Sequence, residues 1–559
     1  MRRIFITAAV GALLLKFPGH AEVPRELRVG VAGHAFDHLG GFAEQAEAAA
    51  ASGANIIYAT GLGAVGYSGL PPAEELARQC RSSTEYVRQA KSRGIRLALG
   101  YLCATSIVKL ESFDANWSPE FRARFHTPPA DWRQQDRDGK PLASWYGGDY
   151  QPACMNHPDW RTYEKFMVRQ QLESGHDGVF FDNPTVHPQG CYCPHCLEKF
   201  SSFLQREGTK VTDRSVAALR QLARQRTNDF LRFRCAIARD FLAEMRRYAR
   251  SLNPRALMTC NNSLNSVEVF YSQSRGYGYN IFEMSQAEDL VVVEDMGNQP
   301  RTLANGQTLE YGPTYELLHA ISHGKPVVAV TIADADYHTP PNLVRLAQAE
   351  AAAHNASYLS WPTWPENVRE RMQATIRPQA DFLGANEKLL NNTRARRDVV
   401  LFLPFRRWLE TNVCAASQLA TALTRANVQY GVRCEDNFTA VELKGSQIVL
   451  VENLSVFSPG ETAVVEKFQR QGGRVITAVG KNWLEELQRA LPKPAVTMHG
   501  PVTVRAVVRD QRARTLVHLL NLDVQKLSSF ADHVTPAADV RLTCRVPTTR
   551  VRSVRALTG

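Results

Sequence analysis

The chain has 559 residues, 44% of them apolar and 22% charged, with a formal net charge of +11. That length and balance suit about three globular domains and exclude a disordered chain, a collagen-like chain and a small disulfide-stapled scaffold. The charge is local: Leu487 to the C-terminus holds twelve Lys/Arg against four Asp/Glu, residues 1–26 hold four against two, and the 460 residues between are close to neutral.

At the N-terminus, Arg2-Arg3-Ile4-Phe5-Ile6 precedes a short apolar run and a small residue at Ala21. This predicts a cleaved signal over residues 1–21, similar to twin-arginine signals, and a periplasmic or secreted protein. The run is too short to span a bilayer, and no other stretch approaches 18 apolar residues, so no membrane span is expected after signal removal. Residues 22–392 then alternate between strand-like and helix-like segments. Strands are predicted at Leu27–Ala35, Asn55–Thr60, Ile95–Leu102, Gly178–Asp182, Ala256–Thr259, Leu290–Val293, Val327–Ile332 and Ser357–Ser360. A Trp-, Asp- and Pro-rich insertion follows the third. Eight β/α units predict a (β/α)8 TIM barrel.

Strands at Val399–Leu403, Ile448–Val451 and Arg474–Ala478, with helices between them, predict a flavodoxin-like α/β domain over 393–490. It has no Gly-x-Gly-x-x-Gly phosphate loop, so it is not read as nucleotide-binding, and no organic cofactor is expected for the chain. Segments Val502–Val508, Thr515–Asn521, Asp539–Arg545 and Val551–Leu557 predict a small C-terminal β-sandwich over 491–559. The basic residues there never form a run of five. A solvated face studded with arginines, including Arg505, Arg509, Arg514 and Arg541, is expected, with no nucleic-acid partner.

Barrel chemistry lies at the C-terminal ends of the strands. There Val179-Phe180-Phe181 leads Asp182 out of a buried strand, Asn183 follows, and Pro184 ends the strand. A partly desolvated carboxylate suits a nucleophile or an acid/base. Glu294 and Asp295 leave the sixth strand in the same way, and two carboxylates across a barrel mouth are what glycoside hydrolysis requires. Adjacent residues on a strand point to opposite faces, so one of the two faces the substrate, with Asp295 slightly preferred. Asn183 beside Asp182, and His34, Tyr101, Asn261, Asp334 and Asp336 at other strand ends, are candidate substrate ligands. Trp361 and Trp364, with Trp145, Tyr101 and Trp117, are candidate stacking platforms for a sugar ring.

Of the eleven cysteines, three form Cys191-x-Cys193-x-x-Cys196 on a loop entering a helix. That spacing can set three thiolates on one structural zinc, with Cys154 as first choice for the fourth ligand and Cys103 or His195 next.

The run Asp177-Gly178-Val179-Phe180-Phe181-Asp182-Asn183, followed by Cys191 to Phe200, resembles glycoside-hydrolase-like barrels related to family 42 β-galactosidases. There a carboxylate ends the fourth strand, and a Cys-x-Cys-x-x-Cys zinc loop follows. The segment at about 396–485 resembles the trimerisation domain of those enzymes, and His518–Leu522 with Val540–Pro547 resembles their C-terminal β-domain. The resemblance implies a possible homotrimer acting on a carbohydrate. Two departures matter. Family 42 enzymes carry Glu at the fourth and seventh strands; this chain carries Asp182 at the fourth and no Glu at the seventh. An Asp at the fourth strand with a carboxylate at the sixth is closer to the α-galactosidase and α-fucosidase pattern. That implies Asp182 as nucleophile and Asp295 or Glu294 as acid/base. The family 42 pattern implies instead Asp182 as acid/base and Asp334 or Asp336 as nucleophile. A barrel that binds sugar without turning it over is the alternative.

Overall fold

The computed structural model describes residues 29–32, 42–51, 53–59, 62–143, 147–262, 267–294, 301, 307–330, 339–359, 365–391, 393–411, 414–511, 514–547 and 551–558. The signal segment 1–21, and with it the export expectation, lies outside them.

Eight strands form the barrel: β1 (Val29–Ala32), β2 (Ile56–Ala59), β3 (Leu97–Cys103), β4 (Gly178–Asp182), β5 (Leu257–Cys260), β6 (Val291–Val293), β7 (Val327–Val330) and β8 (Ser357–Leu359). Each pairs in parallel with its sequence neighbour, and β8 returns to β1 through Val29 opposite Tyr358. A parallel bridge between Asn261 and Val292 closes the ring between β5 and β6. The strands are short apolar runs because both faces are buried. Ile56, Leu97, Leu99, Tyr101, Phe180, Leu257, Leu290, Val292, Val328 and Val330 fill the interior. The alternate residues, such as Leu102, Val179, Phe181, Met258 and Val291, pack outward against the helices. Strand packing is close at Gly178, where a Cβ would stand 2.3 Å from the Leu257 carbonyl oxygen.

The insertion after β3 has its own aromatic core. Trp117 lies 5.9 Å from Trp132 and 5.9 Å from Tyr163, centroid to centroid, and Phe113 lies 5.1 Å from Tyr163. Trp117 is therefore core and not a sugar platform; it is 7% exposed. The insertion is pinned to the barrel by the pairing of Ser106–Ile107 with Gln151–Pro152, and it ends at the helix Pro158–Glu173.

The second unit is a parallel four-stranded sheet of β9 (Val399–Leu403), β10 (Tyr430–Cys434), β11 (Ile448–Val451) and β12 (Arg474–Thr477), in the order β10-β9-β11-β12. The sequence pattern misses β10, because Tyr-Gly-Val-Arg-Cys carries a glycine and an arginine in place of an apolar run. In the C-terminal region, Val504–Gln511 pairs with Arg514–Asn521, and Val496–His499 with Arg541–Cys544. The two sheets meet over Val496, Ala506, Val508, Val517 and Leu542. No strand forms over 551–558, where the expected alternation is broken by Arg552, Ser553 and Arg555 and the chain is exposed.

The solvated-arginine expectation is right for Arg514 and Arg541, which are exposed, and wrong for Arg505 and Arg509. Arg505 is buried and pairs with Glu310 at 2.6 Å. Arg509 donates to the Thr393 hydroxyl at 2.6 Å and to the Ala353 carbonyl at 3.3 Å. These arginines lock the C-terminal sheet to the barrel. On the same face, Asp532 accepts from the backbone N–H groups of Asn342 (2.7 Å) and Leu343 (3.2 Å), at the start of the helix Pro341–Ala353. A carboxylate is well placed at a helix N-terminus. Among the described residues, no helix is long and apolar enough to cross a membrane.

Candidate active site and metal centre

Alternation along β4 puts Phe180 in the barrel interior and carries Asp182 to the mouth. Asp182 is half-buried, and four donors converge on it. Oδ1 accepts from the Asn183 backbone N–H at 2.9 Å and from Asn261 Nδ2 at 2.8 Å. Oδ2 accepts from the Tyr101 hydroxyl at 2.6 Å and from Asn183 Nδ2 at 3.1 Å. Burial first, and then the Asp182 charge, push the Tyr101 hydroxyl well above its ordinary range, so it stays protonated and donates. Asn183 takes a left-handed conformation (φ 48°), which Asn tolerates better than most residues, and this folds its side chain back onto Asp182. Three of the sequence candidates, Tyr101, Asn183 and Asn261, are thus gathered around a fourth, Asp182.

On β6, Leu290 and Val292 point inward and Val291 and Val293 outward. The same two-residue step carries Glu294, half-buried, to the mouth. Four consecutive apolar residues conceal this phase in the sequence, so the pattern alone does not say which of Glu294 and Asp295 faces the mouth. Asp295, His34, Trp145, Asp334, Asp336, Trp361 and Trp364 lie outside the described residues.

Below the mouth, the fully buried Glu288 braces the end of β5. Its Oε1 accepts from the Cys260 N–H at 3.0 Å, from Asn262 Nδ2 at 3.0 Å and from the Cys260 thiol at 3.2 Å. Burial pushes this carboxyl from its ordinary 4.5 up to about 7. The native state therefore keeps a proton that the unfolded chain releases between those values. Stability falls as pH rises through that window and levels off above it. Relative to Glu288→Gln, the wild type is expected to lose about 2 to 3 kcal/mol between pH 5 and pH 8 in denaturant titrations. A pH-independent difference between the two proteins would refute this.

The second constellation is the cysteine cluster. Cys154 arrives from the insertion, Cys191 and Cys193 from the loop after β4, and Cys196 from the first turn of the helix Pro194–Arg206. All four are buried, and their sulfurs lie within 4.8 Å of one another. Cys154 Sγ stands 3.5 Å from Cys193, 3.5 Å from Cys196 and 3.8 Å from Cys191. A tetrahedral thiolate site with ~2.3 Å metal–sulfur bonds has sulfur separations of ~3.8 Å, whereas a disulfide closes to ~2.05 Å. The four thiols are free, and their spacing fits a metal ion. The other three thiols hold Cys154 well below its ordinary range, while Cys193 and Cys196 are pushed well above theirs. Four thiolates therefore need a cation to coexist. Asn156 Nδ2 donates to Cys196 Sγ at 3.3 Å and the Gln135 N–H to Cys191 Sγ at 3.5 Å, as supports of thiolate ligands do. The alternative ligands lie elsewhere: Cys103 ends β3 beside Asp182, and the His195 ring packs edge-on to His157, 4.5 Å away.

The two constellations are joined by residues that sequence reasoning missed. Buried Gln134 donates to the carbonyls of Ala153 (3.0 Å) and Thr185 (3.1 Å) and accepts from the His187 N–H (2.8 Å). The Thr105 hydroxyl donates to the Asn183 carbonyl at 2.5 Å. Lone Gln and Thr residues in an insertion carry no pattern that would single them out. Tyr67 and Tyr150 were missed for the same reason; their rings stack beside the mouth, with centroids 6.4 Å apart.

No protein-family model and no curated protein sequence matches the chain. Solved structures do. The α-L-fucosidase isoenzyme 2 of Paenibacillus thiaminolyticus superposes with a TM-score of 0.63 at 12% identity, covering 94% of each chain. The family 42 exo-carrageenase of Bacteroides ovatus gives 0.59 at 11% identity, over 92% of this chain and 82% of that one. The β-galactosidase of Rahnella sp. R3 gives 0.53 at 14% identity, over 88% and 81%. The protein thus has the TIM-barrel fold of glycoside hydrolases, family 42 enzymes among them; at such identities the likeness is one of fold.

Proposed function

We propose that this protein is an exported glycoside hydrolase, with Asp182 as nucleophile and Glu294 as acid/base. The observation that carries the assignment is the set of four donors on Asp182. A carboxylate used only as an acceptor suits attack on carbon, whereas a general acid must itself donate, and every partner here already donates. In the first step an Asp182 oxygen bonds to the anomeric carbon, the bond to the leaving oxygen breaks, and Glu294 protonates that oxygen. In the second, Glu294 takes a proton from water, the hydroxyl bonds to the anomeric carbon, and Asp182 leaves. The route retains configuration. The near-neutral charge of the barrel sequence favours an uncharged saccharide.

The cysteine cluster would hold one structural zinc, bracing the loop after β4 with no position open for chemistry. Export rests on the twin-arginine-like signal, which implies a periplasmic or secreted location. Homotrimer formation rests on the resemblance of the second unit to a trimerisation domain, and light scattering tests it. The central test is a screen of aryl α- and β-glycosides with zinc-replete protein. Hydrolysis of one anomeric series with net retention is the expected result; no hydrolysis of any member would sink the assignment.

A further inference from the structure

The β2–β4 side of the mouth is aromatic from the interior to the rim, and exposure rises along it. Phe180 is 4% exposed, with its ring centroid 5.9 Å from that of Tyr101, which is 8% exposed. Half-buried Tyr67, from the short helix Gly63–Ser68, packs on the inner cluster that holds both. Tyr150 completes the series at 37% exposure, its plane tilted 27° from that of Tyr67. The placement is built in: the Val108 N–H donates to the Tyr67 carbonyl at 2.6 Å, and the pairing of Ile107 with Gln151 sets Tyr150 beside it. Burial, then Tyr150, Cys103 and Asp182, raise the Tyr67 hydroxyl above its ordinary range, so it remains a donor.

We propose that Tyr67 and Tyr150 form a stacking subsite for a neutral pyranose unit adjoining the unit held at Asp182. The apolar C–H face of a pyranose lies well on an aromatic face, while its hydroxyls find a donor in Tyr67. Asp182 is the one charged group among those acting on Tyr67, since burial keeps the Cys103 thiol protonated, so a uronate or sulfated unit would meet the Asp182 charge. The subsite rests on the saccharide reading of the mouth, and it makes the substrate an oligosaccharide of at least two units.

The test uses the full zinc-replete chain carrying Asp182→Asn, so that ligands bind without turnover. Binding of neutral, uronate and sulfated oligosaccharides, and of the matching monosaccharides, is measured by calorimetry. Tyr150→Ala and Tyr67→Ala are each expected to weaken the best neutral oligosaccharide about five- to tenfold. Tyr150→Phe, which keeps the ring, should stay within about twofold, Tyr67→Phe, which keeps the ring but removes the donor, should weaken binding by less than Tyr67→Ala does, and monosaccharide affinity should not respond to Tyr150→Ala. Tyr150 lies at the rim, so its alanine variant should melt like the parent. Unchanged oligosaccharide affinity in a folded Tyr150→Ala variant would overturn the subsite and leave the glycosidase reading standing. Tighter binding of the sulfated or uronate ligands would overturn its neutral class. Absence of any saccharide binding, together with no turnover in the wild type, would overturn both.

Discussion

Asp182→Asn is expected to lower turnover of the best aryl glycoside by a factor of about a thousand or more, with binding and melting temperature near those of the wild type. The amide keeps an oxygen where Asn183 N–H and Asn261 Nδ2 donate. At the other position an NH2 group replaces Oδ2. Tyr101 can adapt by turning its hydroxyl to accept, and the Asn183 amide can flip. The site therefore loses its negative charge and nucleophilic oxygen but not its shape. A second variant separates the two catalytic roles. If Glu294 is the acid/base, Glu294→Ala should suffer most with poor leaving groups, and added azide should restore its turnover as the glycosyl azide of retained configuration. If Asp182 is instead the acid/base, the glycosyl azide of retained configuration will appear with the Asp182 variant, and the nucleophile passes to Asp334 or Asp336. Wild-type turnover in Asp182→Asn would remove Asp182 from the chemistry altogether.

What could be seen in the sequence follows the range of the forces involved. The barrel was legible because eight apolar runs separated by amphipathic helices are local patterns, and Asp182 because a carboxylate between Phe181 and Pro184 marks a strand end. The cysteine loop was legible from spacing alone. Other features depend on the partner and not on the pattern. The choice between Glu294 and Asp295 depends on which face of β6 turns inward, and Leu290 to Val293 are apolar on both faces. Trp117 has the composition of a platform and the position of a core residue; only the packing of Trp132 and Tyr163 around it decides. Gln134, Thr105, Tyr67 and Tyr150 act across the insertion, up to 83 positions apart in the case of the two tyrosines, where no periodicity operates. Arg505 and Arg509 looked solvated because charge alone does not foretell a buried carboxylate such as Glu310.

Removing the metal proposed for the cysteine cluster is expected to disable the carboxylate end of β4 as well as to destabilise the fold. Cys154 belongs to the insertion and Cys191, Cys193 and Cys196 to the β4 loop, so one ion would cross-link two segments that are otherwise joined by hydrogen bonds. The same interface carries Gln134 to Thr185 and Thr105 to Asn183, whose left-handed turn aims two donors at Asp182. Loss of a structural metal belongs with the largest stability effects, above ~4 kcal/mol, which for a barrel of this size is on the order of 10 °C in melting temperature. Chelation under reducing conditions, or Cys154→Ser, should produce that drop and a loss of turnover, and zinc should reverse the effects of chelation. Cys80→Ser, on the helix Ala73–Ser92, is the control and should change neither. Hydrogen exchange locates the effect: the peptide covering 183–187 should lose protection before the one covering 257–260, because β5 is braced separately by Glu288. Purified protein should carry about one zinc per chain. Metal-free protein with wild-type melting and turnover, or a native disulfide among these four cysteines, would show that the cluster serves some purpose other than bracing Asp182.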